Sequence, residues 1–322
     1  MIQNKRILVA GGGGFIGSHL AKRLYDEGNF VRVADIDFTK PIGFNGKWFT
    51  ESKTLDLRKP ENAQEACKDI DIVFQLAADV GGMGYITEQR ADLMRDNQMI
   101  NLSLLDAAST NKAERFFFSS SACAYPYTLQ DELDAKPLKE TDISPAQPDS
   151  FYGWEKLMME KECAAYHIEK GLETRVARFF SIYGPGCAYD DYKGKAPATL
   201  MRKALESTDN NIVIWGDGKA QRSFLYVDDC VEGIIKITES DISDPINLGT
   251  NELMSVDGVV DVVEKLTEKK LIRNYDLSKP QGVRSRSVDN TLAKTKLGWE
   301  PKYTFAQGEE LTYQWLRPRV VR

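Results

Sequence analysis

The chain predicts an α/β fold, a doubly wound parallel sheet with a smaller C-terminal lobe, and three features carry that prediction. Apolar, strand-like runs alternate with helix-like stretches through the first half. A glycine-rich turn joins the first run to the first helix. After residue 180 the pattern loosens into short segments broken by Gly, Pro and Asp at 184–197, 215–222 and 278–287. Strands buried on both faces read as continuous apolar runs, and the helices between them make right-handed crossovers.

The elements follow in order. Residues 6–10 read as a buried strand that leads into Gly11-Gly12-Gly13-Gly14-Phe15-Ile16-Gly17 and a helix reaching about Gly28. Val31-Arg32-Val33-Ala34 forms a second strand ending at Asp35. Residues 71–77 and 115–118 are further apolar runs, the latter followed by Ser119-Ser120-Ser121, and helices are expected near 91–111 and 152–170. No internal repeat, low-complexity tract or long linker interrupts this order.

Composition narrows the function. The 322 residues are 42% hydrophobic and 28% charged, a globular balance, and the net charge of −6 disfavours a nucleic-acid partner or an anionic membrane surface. No apolar stretch approaches the length of a membrane span, and no basic leader precedes the first strand. The five cysteines (67, 123, 163, 187 and 230) are scattered and form no C-x-x-C pair, which points to reduced thiols, a cytoplasmic location and no bound metal. With only His19 and His167 present, acid and base chemistry falls to Tyr, Lys, Cys or carboxylates.

The spacing Gly11-x-x-Gly14-x-x-Gly17 between a strand and a helix is a pyrophosphate cradle, because glycines let backbone N–H groups approach the anion at the positive helix end. It makes the first sheet a Rossmann domain with Gly11, Gly14, Phe15, Ile16 and Gly17 at the dinucleotide. Asp35 would accept from a ribose hydroxyl and repel a 2′-phosphate, favouring NAD over NADP. Asp56 and Leu57 are a further expected contact, to the adenine edge.

Tyr152-Gly-Trp-Glu-Lys156 places Tyr and Lys four apart, on one helix face. An adjacent ammonium is expected to lower the phenol's pKa, so that Tyr152 can take a hydroxyl proton. Such a pair also arises as a plain amphipathic face; with the glycine loop upstream and Ser121 between, the three features together become specific. Arg284 and Arg286 flank Ser285 as a diphosphate clamp would, or as a solvated basic loop. Trp154, Trp215 and Trp299 read as packing residues.

On these motifs the chain resembles, over its whole length, the extended short-chain dehydrogenase/reductase family, whose members include nucleotide-sugar epimerases and dehydratases. The resemblance implies a catalytic Ser121, Tyr152 and Lys156, and a homodimer built from helices 91–111 and 152–170. It also implies an NAD-binding Rossmann domain over 1–178, with return segments near 213–248, and a lobe over 179–322 that mainly binds the nucleotide sugar. Five further stretches resemble the branch of the family that inverts C3 and C5 of a GDP-hexose, with GDP-mannose the expected substrate: Ala77-Ala-Asp-Val-Gly-Gly-Met-Gly-Tyr85, Ser120-Ser-Ala-Cys-Ala-Tyr-Pro126, Tyr183-Gly-Pro185, Lys195-Ala-Pro197, and Trp215-Gly-Asp-Gly218 with Gln221-Arg222-Ser223.

That closer resemblance implies Cys123 and Lys195 as the acid/base pair. It implies Gly81, Ser121, Ala122, Cys123, Ser181, Lys195, Lys203, Gln221, Arg222 and Arg284 as substrate contacts. The chain departs from the branch at Phe180-Ser181, where His-Asn is usual, and at Gly194, where Glu is usual. Read without the resemblance, Cys123 is equally a small buried residue after a strand, and Lys195 a solvated loop lysine beside Lys193. A C4 dehydrogenase or C4 epimerase of a related GDP-sugar, and a non-catalytic NAD-binding regulator, are the competing readings.

Overall fold

Ile7, Leu8, Val9 and Ala10 are fully buried, as the residues of a strand covered on both faces must be. The computed structural model describes residues 2–40 and 42–321. The chain runs β1 (Arg6–Ala10), α1 (Phe15–Asp26), β2 (Phe30–Asp35), β3 (Glu51–Thr54), α2 (Pro60–Cys67), β4 (Ile72–Gln75), α3 (Met83–Glu88), α4 (Arg90–Thr110), β5 (Arg115–Ser121), α5 (Phe151–Lys170) and β6 (Glu173–Phe179). It continues through α6 (Ala196–Glu206), β7 (Asn211–Trp215), β8 (Gln221–Ser223), α7 (Val227–Glu239), β9 (Ile246–Leu248), β10 (Leu253–Ser255), α8 (Val256–Thr267), β11 (Ile272–Asp276), β12 (Ser285–Arg286), α9 (Thr291–Leu297) and α10 (Phe305–Val320).

The large sheet has seven parallel strands in the order β3-β2-β1-β4-β5-β6-β9. Strand order reverses at β1, so a crevice opens between the carboxyl ends of β1 and β4, the usual place for a ligand in such sheets. The fold class expected from the sequence is the one observed. The helices expected near 91–111 and 152–170 are α4 and α5. Two elements escaped the apolar pattern. β3 reads Glu-Ser-Lys-Thr at the sheet edge, and short α2 follows it. An edge strand half in water has no reason to be apolar.

The chain returns to the large sheet through α7 and β9, whereas β7 pairs with β11 in a two-stranded sheet. β8 lies between β10 and β12 in a third sheet, which carries Arg222 and Arg286 side by side. Among the described residues no helix is long and apolar enough to cross a membrane.

One buried network seats α5 against the sheet. Arg178 of β6 donates twice to Glu160 of α5, at 2.9 and 2.8 Å, and once to Tyr125 Oη at 3.0 Å. Ser120 Oγ donates to the same Glu160 at 2.5 Å. These bonds leave a buried ion pair with its polar atoms satisfied, as it must be to survive away from water.

Glu309 of α10 is the opposite case. Its side chain is fully buried and neither carboxylate oxygen has a hydrogen-bond partner. Burial pushes its pKa up to about 8. A carboxyl held protonated in the fold but ionised when unfolded contributes fully below its ordinary pKa, and that contribution is lost as pH rises towards 8. The loss is on the order of 4 kcal/mol. Glu309→Leu is therefore expected to raise Tm by several degrees at pH 8 and to do little at pH 5. Thermal unfolding at the two pH values checks it.

Candidate active site

The glycine turn forms because side chains do not fit there. Gly11 has φ +79°, and a Cβ on Gly17 would lie 2.1 Å from the Gly11 carbonyl oxygen. Gly11 N–H donates to Ala34 O at 2.8 Å, and Gly14 N–H to Gly11 O at 3.0 Å, folding the turn against β2. Gly14 then starts α1 without a capping side chain, and the first turn holds no acidic residue. The first-turn N–H groups are left to an external anion, so this cradle fits the pyrophosphate of a dinucleotide.

Asp35 ends β2 beside the turn, its carboxylate accepting from Gly13 N–H at 3.0 Å and Ile36 N–H at 2.8 Å. Burial raises its pKa, against the pull of Lys40 and these N–H groups. The two expected adenine contacts have protein partners: Asp56 is held through both oxygens by Arg58 at 2.9 and 2.8 Å, and Leu57 is buried in the core cluster that includes Ala10 and Ala34.

Ser121 ends β5, and its Oγ accepts from Cys123 N–H at 3.2 Å, which caps the short turn at 122–124 that buries Ala122. Ser150 caps α5, its Oγ accepting from Gly153 N–H at 3.1 Å. Gly153 is indispensable here, since a Cβ would stand 2.1 Å from the Cys123 carbonyl oxygen. That contact seats Tyr152 beside Ser121.

Lys156 shares the helix face with Tyr152, its Nζ 5.4 Å from the Tyr152 ring centroid and 4.8 Å from that of Phe118. Burial pushes the Tyr152 phenol well above its ordinary pKa; Glu155 and Cys123 add to the rise, and the Ser121 hydrogen bond opposes it.

Cys123 and Lys195 come from distant parts of the chain and act on each other electrostatically. Arg286 donates to Cys123 Sγ at 3.1 Å and to Gln130 Oε1 at 2.5 Å, and its third bond goes to Asp149. Lys195 precedes α6. The surrounding protein lowers the ammonium's pKa; Cys123 works against that and Arg286 with it.

Among the described residues Arg222 donates to two carbonyls, those of Gln221 at 2.7 Å and Gln281 at 3.3 Å. Burial, then the like charge of Arg286, pulls its pKa down to about 10, so it stays cationic at neutral pH. A half-buried cation with no carboxylate in ion-pair contact among the described residues is ready for an anionic ligand.

Other expected contacts are engaged elsewhere. Arg284 is bidentate to Asp217 at 3.1 and 3.0 Å, Lys203 pairs with Asp191 at 3.0 Å, and Gln221 exchanges bonds with Asp134. Gly81 lies against Tyr85, and Gly82 meets the Gly194 carbonyl, a Cβ on it standing 2.6 Å away. Gly194 has no room for a side chain, because its Cβ would lie 2.3 Å from Asp190 O and from Thr199 Oγ1. Ser181 follows β6 with φ 43° and accepts from Leu225 N–H at 3.3 Å.

The contact between Arg286 and Cys123, with Gln130 and Asp149 behind it, was not foreseen. The alternation of an extended segment puts Arg284 and Arg286 on one side, but only the fold decides which of them reaches the thiol. Trp154, read as packing, is 43% exposed on α5. Among the described residues no cluster of His, Cys, Asp or Glu side chains is arranged to hold a metal.

A parallel sheet with this cradle and this Ser-Tyr-Lys arrangement defines a nicotinamide-dependent enzyme of the extended short-chain dehydrogenase/reductase type. The chain belongs to the NAD dependent epimerase/dehydratase family, whose model matches residues 7–249. It is 41% identical over 318 residues to the GDP-mannose 3,5-epimerase of Arabidopsis thaliana, covering 99% of this chain and 84% of that protein. GDP-mannose 3,5-epimerase 1 of Oryza sativa subsp. indica is also 41% identical, over 98% of this chain and 82% of the relative. Among solved structures, UDP-glucose 4-epimerase of Thermotoga maritima with UDP-glucose superposes at TM-score 0.87 with 28% identity, covering 98% of this chain and 99% of that one. UDP-glucuronic acid 4-epimerase of Bacillus cereus, in complex with UDP-glucuronic acid and NAD, superposes at TM-score 0.83 with 26% identity and the same coverage.

Gly17→Ala is expected to weaken NAD binding at least tenfold, because the added Cβ collides with the Gly11 carbonyl and opens the cradle. Isothermal titration with NAD measures it, and undiminished affinity would refute the assignment.

Proposed function

We propose that the chain inverts C3 and C5 of a GDP-hexose of the GDP-mannose type through a transient C4 ketone. The reading is carried by the Cys123 thiol, bonded to Ser121 through its N–H and to Arg286 through its sulfur, and acting electrostatically on both the Lys195 ammonium and the Tyr152 phenol. The relatives named for 3,5-epimerisation support it. Residues 1–178 hold the dinucleotide in this reading, and 179–322 mainly the sugar nucleotide.

When bound, NAD supplies the hydride acceptor for C4 and later the donor back to the same carbon. The residues of the chain do the rest. Tyr152 takes the C4 hydroxyl proton and Ser121 orients that hydroxyl. A ketone at C4 acidifies the hydrogens on C3 and C5, so a base on one side of the ring and an acid on the other suffice for inversion. Cys123, from the end of β5, and Lys195, ahead of α6, are suited to opposite sides because they come from different lobes. Gln130 and Asp149 hold Arg286 against the thiol, and Arg222 offers its free charge to the diphosphate.

Incubation with GDP-mannose in deuterated water tests the chemistry. Deuterium is expected at C3 and C5, and Cys123→Ser is expected to fold normally and to lose at least about a hundredfold in exchange rate, the scale of a general acid/base. Epimerisation at C4 without solvent deuterium, or accumulation of NADH, would favour a C4 epimerase or dehydrogenase instead.

The assembly we infer is a homodimer in a reducing, cytoplasmic setting. Met99 and Leu102 of α4 and Phe151, Trp154 and Met158 of α5 expose a shared apolar surface, and every cysteine is free. Light scattering is expected to give twice the chain mass, and Met99→Glu with Met158→Glu to halve it.

A further inference from the structure

The segment that follows β4 and the loop that carries Lys195 are tied to each other by side chains that the reaction as described leaves unused. Asp79, past the end of β4, is fixed to buried Asn97 of α4: its N–H donates to Asn97 Oδ1 at 2.7 Å, and Asn97 Nδ2 donates to its carbonyl at 3.0 Å. One carboxylate oxygen of Asp79 accepts from Tyr85 Oη, and the other from Lys193 Nζ at 3.1 Å. The same ammonium stands 4.2 Å from the centroid of the Tyr85 ring, which meets the Tyr192 ring edge to face at 5.0 Å. Gln89 Nε2 donates to Tyr192 Oη at 3.2 Å. On its other side the loop is braced by Asp190, whose carboxylate accepts from the N–H groups of Tyr192 at 2.8 Å and Lys193 at 2.6 Å, and whose carbonyl accepts from Gly194 N–H at 3.1 Å. The Lys193 and Asp79 side chains are 44% and 34% exposed, and an ion pair so open to water adds little to the stability of the fold. It does fix the place of the loop. Only Gly194 separates Lys193 from Lys195, so a shift at one is passed to the other.

We propose that Asp79 and Lys193 are positioning residues: their ion pair, seated on the Tyr85 ring, holds the loop so that the Lys195 amine stands where proton transfer requires it. The inference rests on Lys195 being one of the two proton carriers, and not on the part played by Cys123. Both residues act through Lys195 alone, so the hydride step, which Tyr152 and Ser121 serve, does not depend on them. A small displacement of a reacting group is enough to slow its step strongly, even where the fold is unchanged.

The test compares two rates in the NAD-loaded enzyme given GDP-mannose in deuterated water: deuterium incorporation into the sugar, and NADH formation in a single turnover, read by absorbance. Lys193→Met keeps the stem over the Tyr85 ring and removes the charge, and Asp79→Asn keeps the shape and the backbone bonds to Asn97. Each is expected to slow incorporation about tenfold and to leave NADH formation within about twofold of native. Lys193→Arg, which restores the pair, is expected to recover most of the rate. The double variant is expected to be no slower than the slower single one, because both changes remove one contact. Native incorporation in both single variants, an Arg variant as slow as the Met variant, losses that multiply in the double variant, or an equal slowing of NADH formation, as a general loosening of the fold would give, each overturns the proposal. Lys195→Met, measured beside them, separates the proposal from its premise. If that variant incorporates deuterium at the native rate, the role of Lys195 fails and the proposal with it; if it is inactive while Lys193→Met and Asp79→Asn match the native enzyme, the proposal alone fails.

Discussion

The contact between the start of α5 and the turn at residues 122–124 is the constraint from which the site follows. With hydrogen in place of a side chain at Gly153, the helix lies directly against the Cys123 carbonyl. That approach brings Tyr152 beside Ser121 and Cys123. The buried bonds from Arg178 to Glu160 and from Ser120 to Glu160 lock the helix in this seat. Any side chain at Gly153 has to push the helix away, and with it the proton carrier.

Electrostatics divides the cleft. Arg222, Arg284 and Arg286 gather where the smaller lobe meets the large sheet, yet they are not equivalent. Asp217 neutralises Arg284, Asp149 and Cys123 occupy Arg286, and Arg222 keeps its charge for a ligand. Behind the Ser-Tyr-Lys trio the sign reverses, with Glu155 facing Lys156 in a dry environment. Cations at the mouth suit a site that must hold a diphosphate.

Much of this was legible in the residues. Continuous apolar runs marked β1, β2, β4 and β5, because strands covered on both faces cannot alternate with polar residues. β3 and α2 were not legible, since the polar edge strand carries no such signature. Asp35 was legible as a strand end after a glycine turn. The pairing of Arg284 with Asp217, and of Lys203 with Asp191, was not, because each joins segments whose separation in the chain carries no information about their distance in space. Gly194 stood out as a departure, and the structure supplies the reason: Asp190 and Thr199 fill the space of a side chain there.

By itself the sequence determined the fold class, the glycine cradle, the tyrosine and lysine on one helix face, and the chemical types able to move protons. Local spacing and hydrophobic period control those features, and both are written in consecutive residues. Tertiary structure alone decided which arginine guards the thiol, that the Lys156 ammonium lies over the Phe118 ring as well as that of Tyr152, and that a carboxylate shares its burial. Those outcomes depend on how far each group is removed from water and which distant segment meets it, and burial and long-range contact exist only once the chain has closed on itself.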